Sequence, residues 1–346
     1  MRITTTSITK ILLVLFLLIS GLYFAKSFLI PLFIGGVFAT LFLPVCKWLE
    51  KKNISRGLSA FACLLIMLSV VAVIGTLLGW QISEFAKDID LIHQKSNEAI
   101  KNVQDFVFAN LGLSVEEQTE IIKSEKPSVA GVFQVVVASL TEVVTNFILV
   151  MAYIFLFLYY RNHIRQFILK LTAPSQRSEM DEVIFSVSHV SQQYLVGLAK
   201  MIVCLWIMYG IGFSLLGVHN AFFYAILCGL LEIIPFIGNL TGTTITVLVA
   251  AVHGSSPAVL GGIILTYGIV QFIQGWVLEP FILGHEVKIN PLITIVALVF
   301  GSLIWGIPGI FLALPLTAMF KIVCDHIESL KPIGFLIGQV GSKKAK

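Results

Sequence analysis

Charge is scarce in this chain. Acidic and basic residues together fill 12% of its 346 positions, while hydrophobic residues fill 57% and the mean hydropathy is +0.95. An ordinary soluble domain carries about 25% charge, so a water-soluble globule is excluded. The net charge of +4 is modest and spread along the chain, so it gives no nucleic-acid signal. Cysteines are few and odd in number, none stands in a Cys-x-x-Cys pair, and all five (Cys46, Cys63, Cys204, Cys228, Cys324) lie in or beside apolar runs. They read as free thiols, not as disulfides or metal ligands. No Gly-x-x-x-x-Gly-Lys-Ser/Thr loop is present, so nothing in the sequence suggests an ATP-driven pump. His285-Glu286 lacks the second histidine of a zinc protease, and His253 near Ser255 comes without a nucleophile elbow. No enzyme, cofactor or metal site is expected.

What the sequence has in abundance is long uncharged runs, over 11–25, 27–46, 57–83, 143–160, 201–231, 233–278 and 289–320. About 20 apolar residues cross a bilayer as a helix. The first run, preceded by Arg2 and Lys10, lacks a clean cleavage site and reads as a retained span. Val218-His219-Asn220 and His253–Pro257 break the two longest runs, and Gly301, Gly306, Pro308, Gly309 and Pro315 make the last one a kinked helix or a hairpin. The expectation is an all-α, polytopic membrane protein of about eight spans, with broken or re-entrant elements in its C-terminal half.

Its parts are three spans in 1–80, an extracytoplasmic amphipathic segment in 81–142, a fourth span in 143–160, a cytoplasmic amphipathic segment in 161–200, spans five to eight in 201–325 and a tail in 326–346. Ser178 and Asp181 have capping-box spacing at the start of the second amphipathic segment. Sixteen of the 23 Lys and Arg residues then fall on one side, which the positive-inside rule assigns to the cytoplasm together with both termini. Lys288 and the Glu279–Pro291 connection fall on the outer side. The partners are the bilayer, a small molecule or ion as substrate, no nucleic acid, and at most further copies of the chain.

Between Met201 and Leu278 one residue carries a formal charge, Glu232. An ionisable side chain in lipid-length sequence is costly and marks a functional site by default. Pro235 and Gly238 follow it and would interrupt the helix, and Asn239 is polar. Broken helices at membrane depth line cavities, and transporters build sites from them. Downstream, Thr241, Thr243, Thr244 and Thr246 read first as helix-bonded hydroxyls. Tyr267, Gln271 and Gln274 share a helical face, turned to protein or to a wet path, and Glu279 follows. Pro280, Pro291, Gly306, Pro308, Gly309 and Pro315 join Pro235 and Gly238 as candidate hinges or helix breaks.

At these residues the chain resembles the autoinducer-2 exporter family, also called PerM-type permeases. Ile234-Pro235-Phe236-Ile237-Gly238 resembles the family's Ile-Pro-Tyr/Phe-Ile-Gly signature. The likeness continues through Gln271-x-x-Gln274, Glu279-Pro280-x-Ile282-x-Gly284, Pro291, Gly301-x-Leu303-x-x-Gly306-x-Pro308-Gly309 and Leu314-Pro315-Leu316-x-Ala318, covering roughly 230–320. Asn239 stands where the family often has a second proline, so the local bend differs. The resemblance implies an inner-membrane transporter, in some members an exporter of autoinducer-2 and in others a sodium (lithium)/proton antiporter. The expected function is export of a small polar solute without ATP, with Glu232 as coupling or gating carboxylate, Asn239, Gln271, Gln274 and Glu279 along the path, and the glycines and prolines as hinges. An antiporter is the nearest alternative. A non-transporting scaffold is the alternative from another class.

Overall fold

The structure, a computed structural model, describes residues 5–87, 129–233, 237–282 and 289–339. These residues fold as helices: α1 Thr5–Phe24, α2 Lys26–Lys51, α3 Arg56–Lys87, α4 Val129–Leu171, α5 Arg177–Leu215, α6 Ala221–Leu231, α7 Ile237–Val252, α8 Pro257–Ile273, α9 Glu279–Ile282, α10 Pro291–Trp305, α11 Ile307–His326 and α12 Lys331–Ile337. A π turn, Gln274–Leu278, joins α8 to α9. Six of the helical stretches are long and apolar enough to cross a membrane, and 12–24, α6, 238–251 and α10 are apolar but shorter. The chain is therefore a multi-pass, all-helical membrane protein. Most of the amphipathic segment expected at 81–142 lies outside the described residues.

Two short helix pairs give the C-terminal half its form. A helix rises 1.5 Å per residue, so the 11-residue α6 is only about 17 Å long, against roughly 30 Å of hydrocarbon. It pairs antiparallel with α7. The His219 and His253 rings stack at 5.7 Å where the pair opens, a Cβ on Gly242 of α7 would come within 2.8 Å of Cys228 Sγ on α6, and Gly238 packs on the Leu231 carbonyl near the tip. The chain thus enters and leaves this hairpin at one end, through Asn220 (φ 57) and Gly254 (φ 78). The α10–α11 pair is a second hairpin, turning at Gly306 with φ 63. Its two ends meet the C-terminal α12: Asn290 Nδ2 donates to the Leu336 carbonyl at 2.5 Å, and Ile289 bridges Gly338. Ile289 and Asn290, just before Pro291, therefore lie on the side of the C-terminus, whereas the charge count had this point on the opposite side. The charge rule misplaced it because it counted α10 and α11 as one crossing, whereas together they return to their starting end.

Three cores join the elements. Ala39, Cys46, Ala60, Cys63, Val150, Ile154 and Leu158 fill the contact of α2, α3 and α4. Leu205, Tyr209, Phe213, Tyr224, Cys228, Ile263 and Val270 seat the first hairpin between α5 and α8. Val37, Tyr194, Leu195 and Leu312 tie α2, α5 and α11 together. The many exposed large apolar side chains on α1, α3, α8 and α10 are what a lipid-facing surface requires. At one end, Arg161 of α4 pairs with Glu50 of α2, and Arg165 pairs with Asp181 of α5 at 2.6 Å. Asp181 is committed to that bridge, so Ser178 and Asp181 form no capping box. α5 starts without a side-chain cap and runs unbroken from its polar first half into its apolar second half.

The candidate functional site

The apolar run of α6 stops at Leu231, before the proline whose ring and missing N–H end a helix. Glu232 is its C-cap residue and lies 8% exposed. Gly238 lets the start of α7 lie against the Leu231 carbonyl, where any Cβ would overlap backbone. That close return brings Asn239 into the protein at 0% exposure. α8 supplies the third member, for its helix passes at Gln274 into a π turn, a widened geometry frequent at functional sites. Gln274 Nε2 donates to Glu232 Oε1 at 2.5 Å, and Gln274 Oε1 accepts from Asn239 Nδ2 at 3.1 Å. An acid, an amide and a second amide from three helical segments thus form one buried chain.

The chain is incomplete on its acceptor side. Glu232 Oε2, Asn239 Oδ1, Thr243 Oγ1 and, from α5, Tyr209 Oη are buried without a hydrogen bond of ordinary geometry, although the Tyr209 hydroxyl approaches Thr243. A buried polar atom left unpaired costs roughly 1–3 kcal/mol. All four atoms are oxygens, and two of them, Glu232 Oε2 and Asn239 Oδ1, have no proton of their own to give, so the site asks for a donor: a proton on the carboxyl, a cation, or a hydroxyl of a bound solute. Neither Gln274 nor Asn239 brings a positive charge to Glu232.

The other candidates divide. Gln271 does not join the cluster; it is half-buried and donates to Tyr267 Oη at 3.2 Å, one turn away on its own helix. Glu279 is exposed, yet near enough to act on Glu232 through its field. Thr244 and Thr246 bond to the carbonyls of Leu240 and Gly242, each at 2.8 Å, as helix-bonded hydroxyls do. Pro235 and Gly284 lie outside the described residues. Pro280 is the second residue of α9. Pro291 opens α10 behind its cap Asn290, whose Oδ1 accepts from Ile293 N at 2.9 Å, so it starts a helix and does not break one. Pro308 likewise sits in the first turn of α11, next to the Gly306 turn. α11 continues through Pro315, which is buried and breaks nothing. Gly309 crosses Gly301 of α10 at backbone contact. Tyr209 and Tyr194 were missed in the sequence, where a tyrosine in an apolar run has no mark to separate it from packing.

Comparison with known proteins gives the same answer along the whole length. The family described as AI-2E family transporter matches residues 11–329. The chain is 26% identical over 323 residues to YrrI of Bacillus subtilis (strain 168), covering 88% of each chain. It is 22% identical over 330 residues to YhhT of Escherichia coli (strain K12), covering 94% of this chain and 92% of the relative. To the AI-2 transport protein TqsA of Escherichia coli (strain K12) it is 20% identical over 333 residues, covering 95% of this chain and 94% of the relative. A hairpin-built, multi-pass helical protein with a buried acid–amide cluster at the family signature, matched over almost its full length, belongs to the AI-2E family of transporters.

Proposed function

We propose that this protein is a secondary transporter that exports a small, hydroxyl-bearing polar solute of the autoinducer-2 kind across the bacterial inner membrane without ATP, with Glu232 as its coupling carboxylate. The observation that carries the reading is a buried acid–amide cluster at a helix break with two acceptor oxygens that lack donors, Glu232 Oε2 and Asn239 Oδ1. Hydroxyl groups of a solute supply such donors, and a proton on Glu232 supplies one in the solute's absence. Similarity to TqsA, an AI-2 transport protein, supports the solute class. The Gly306 turn, at the tip of the second hairpin with φ 63, is where the backbone has freedom to move, while Gly238 is where the first hairpin closes at backbone contact.

Flux into inverted vesicles under an imposed proton or sodium gradient, run over a panel of solutes, tests this directly. Autoinducer-2 or a similar small polyol should accumulate in proton-energised vesicles carrying the protein and not in empty ones. Exchange of sodium or lithium for protons with no solute movement would replace the reading by the antiporter.

Sidedness is tested separately. Tags near residues 53, 178 and 286 and at the C-terminus should report the cytoplasm, and tags near 115 and 254 the outside. Residue 286 is the new element, because Asn290, four residues further on, bonds to the Leu336 and Gly338 carbonyls. An external report from residue 286 with a cytoplasmic C-terminus would overturn the second hairpin.

A further inference from the structure

A buried coupling group needs a wet connection to at least one face of the membrane. A cavity of about 160 Å³ opens between α2, α4 and α5, with Thr40, Arg161, Arg165 and Ser188 among its lining residues. Arg161 and Arg165 place it at the end that the positive-inside rule assigns to the cytoplasm. A water needs roughly 10–15 Å³ of such space and two to four polar partners, so the cavity has room for several, with its polar partners confined to Thr40, Ser188 and the two arginines. Both arginines are held in ion pairs, with Glu50 and Asp181. The rest of the wall is apolar, Leu43, Phe157 and Ile184 among it, apart from the hydroxyls of Thr40 and Ser188.

From this cavity a polar stripe runs up α5 at three-residue steps, Ser188, Ser191 and Tyr194, the spacing that puts side chains on one helix face. Ser191 is 0% exposed and shares a 3.0 Å hydrogen bond with Thr40, itself a lining residue. Tyr194 is 5% exposed, packs on Val37 and Leu312, and lies within the field of Glu232. The titratable groups around Glu232 are Tyr194 and Tyr209 on α5 and Glu279 on α9; around the cavity they are the two ion pairs.

We infer that the Ser188–Ser191–Tyr194 face of α5 is the cytoplasmic access route to Glu232, with the α2–α4–α5 cavity as its vestibule and the Thr40–Ser191 contact as its narrow point. The inference rests on the role proposed for Glu232 in what travels along the route, but not in whether the route is wet. An interhelical hydroxyl pair also serves as packing glue between spans, and the two roles differ in reach to water.

Accessibility separates them. Ser188→Cys and Ser191→Cys are placed in a chain whose five cysteines are replaced. They are treated with a charged thiosulfonate and with silver ion, in inverted and in right-side-out vesicles. Both positions should react from the cytoplasmic face, roughly tenfold or more faster than from the other face, since a charge pays several kcal/mol to cross hydrocarbon. Position 191 inert to silver from both faces, with position 188 reactive, would reduce the contact to packing and overturn the inference. If the cysteine-free chain does not fold, the same two variants in the parent sequence are read against the parent's own labelling. Tyr194→Phe, which keeps the packing and removes the hydroxyl, should slow proton-driven flux several-fold with normal yield, and parental flux in that variant would end the route below Glu232. Because the labelling needs no transport, a normal flux in Glu232→Gln would refute the coupling role and leave the route standing.

Discussion

Glu232→Gln is expected to insert and fold like the parent and to lose gradient-driven transport. Glutamine keeps the side-chain length, and its oxygen still accepts from Gln274 Nε2, the 2.5 Å contact of the parent. Its new NH₂ stands where Glu232 Oε2 has no partner, in a cluster where Asn239 Oδ1 lacks a donor as well. Stability should therefore be unchanged or higher by about 1 kcal/mol, the net worth of one hydrogen bond. What the variant cannot do is take up and release a proton. Gradient-driven flux should fall to the level of empty vesicles, and any downhill flux that remains should lose its dependence on pH. Glu279→Gln is the control: its side chain is exposed, it reaches Glu232 through its field and through Gln274, which it also approaches, and a reduction without loss of coupling is expected. Parental transport with an unchanged pH profile in Glu232→Gln would make the carboxylate a structural cap of α6 and turn attention to Gln271 and Tyr267.

How much of this was legible in the sequence depends on which physical term placed each residue. Glu232 announced itself because a lone charge in a long apolar run has a cost that needs no partner to be recognised. The turns at 218–220 and 253–257 were equally local, set by left-handed Asn220 and Gly254 and by a proline that starts α8. Gln274 was found on the wrong grounds. Helical spacing grouped it with Gln271 and Tyr267, but its partners are Glu232 and Asn239, 42 and 35 residues away. The π turn that starts at Gln274 is not encoded by any period an α-helical reading can detect. Tyr209, Tyr194 and the Thr40–Ser191 pair were invisible because a hydroxyl among apolar residues gains meaning only from what packs on it. The second hairpin stayed ambiguous because Gly and Pro at 301–315 fit a kink as well as a reversal. What decides is Asn290 bonding to the Leu336 and Gly338 carbonyls, a contact across almost 50 residues.

The reversal makes its own prediction at Gly301 and Gly309. The two glycines face each other across α10 and α11, and a Cβ on either would overlap the other's carbonyl group. Small residues at such a crossing let two helices approach closely enough to replace lipid contact with backbone contact. Gly301→Val or Gly309→Val must force the legs apart, and overpacking a close contact costs about 1–3 kcal/mol, more where backbone has to move. Native stability is itself only about 5–15 kcal/mol, so yield of monodisperse protein and apparent Tm should both fall sharply, with transport falling in proportion. Gly306 differs. Nothing lies within 4 Å of its would-be Cβ, but its φ of 63 and ψ of −138 are a conformation that side-chain-bearing residues adopt at a cost of about 1–3 kcal/mol. Gly306→Leu should therefore strain or straighten the hairpin tip without a clash, cutting transport more than yield. Gly261→Ala, in regular helix and open space, should be neutral or slightly stabilising. A Gly306→Leu variant that transports at the parental rate would show that the tip is a fixed turn, and a Gly309→Val variant with parental Tm would show that α10 and α11 do not meet at these glycines.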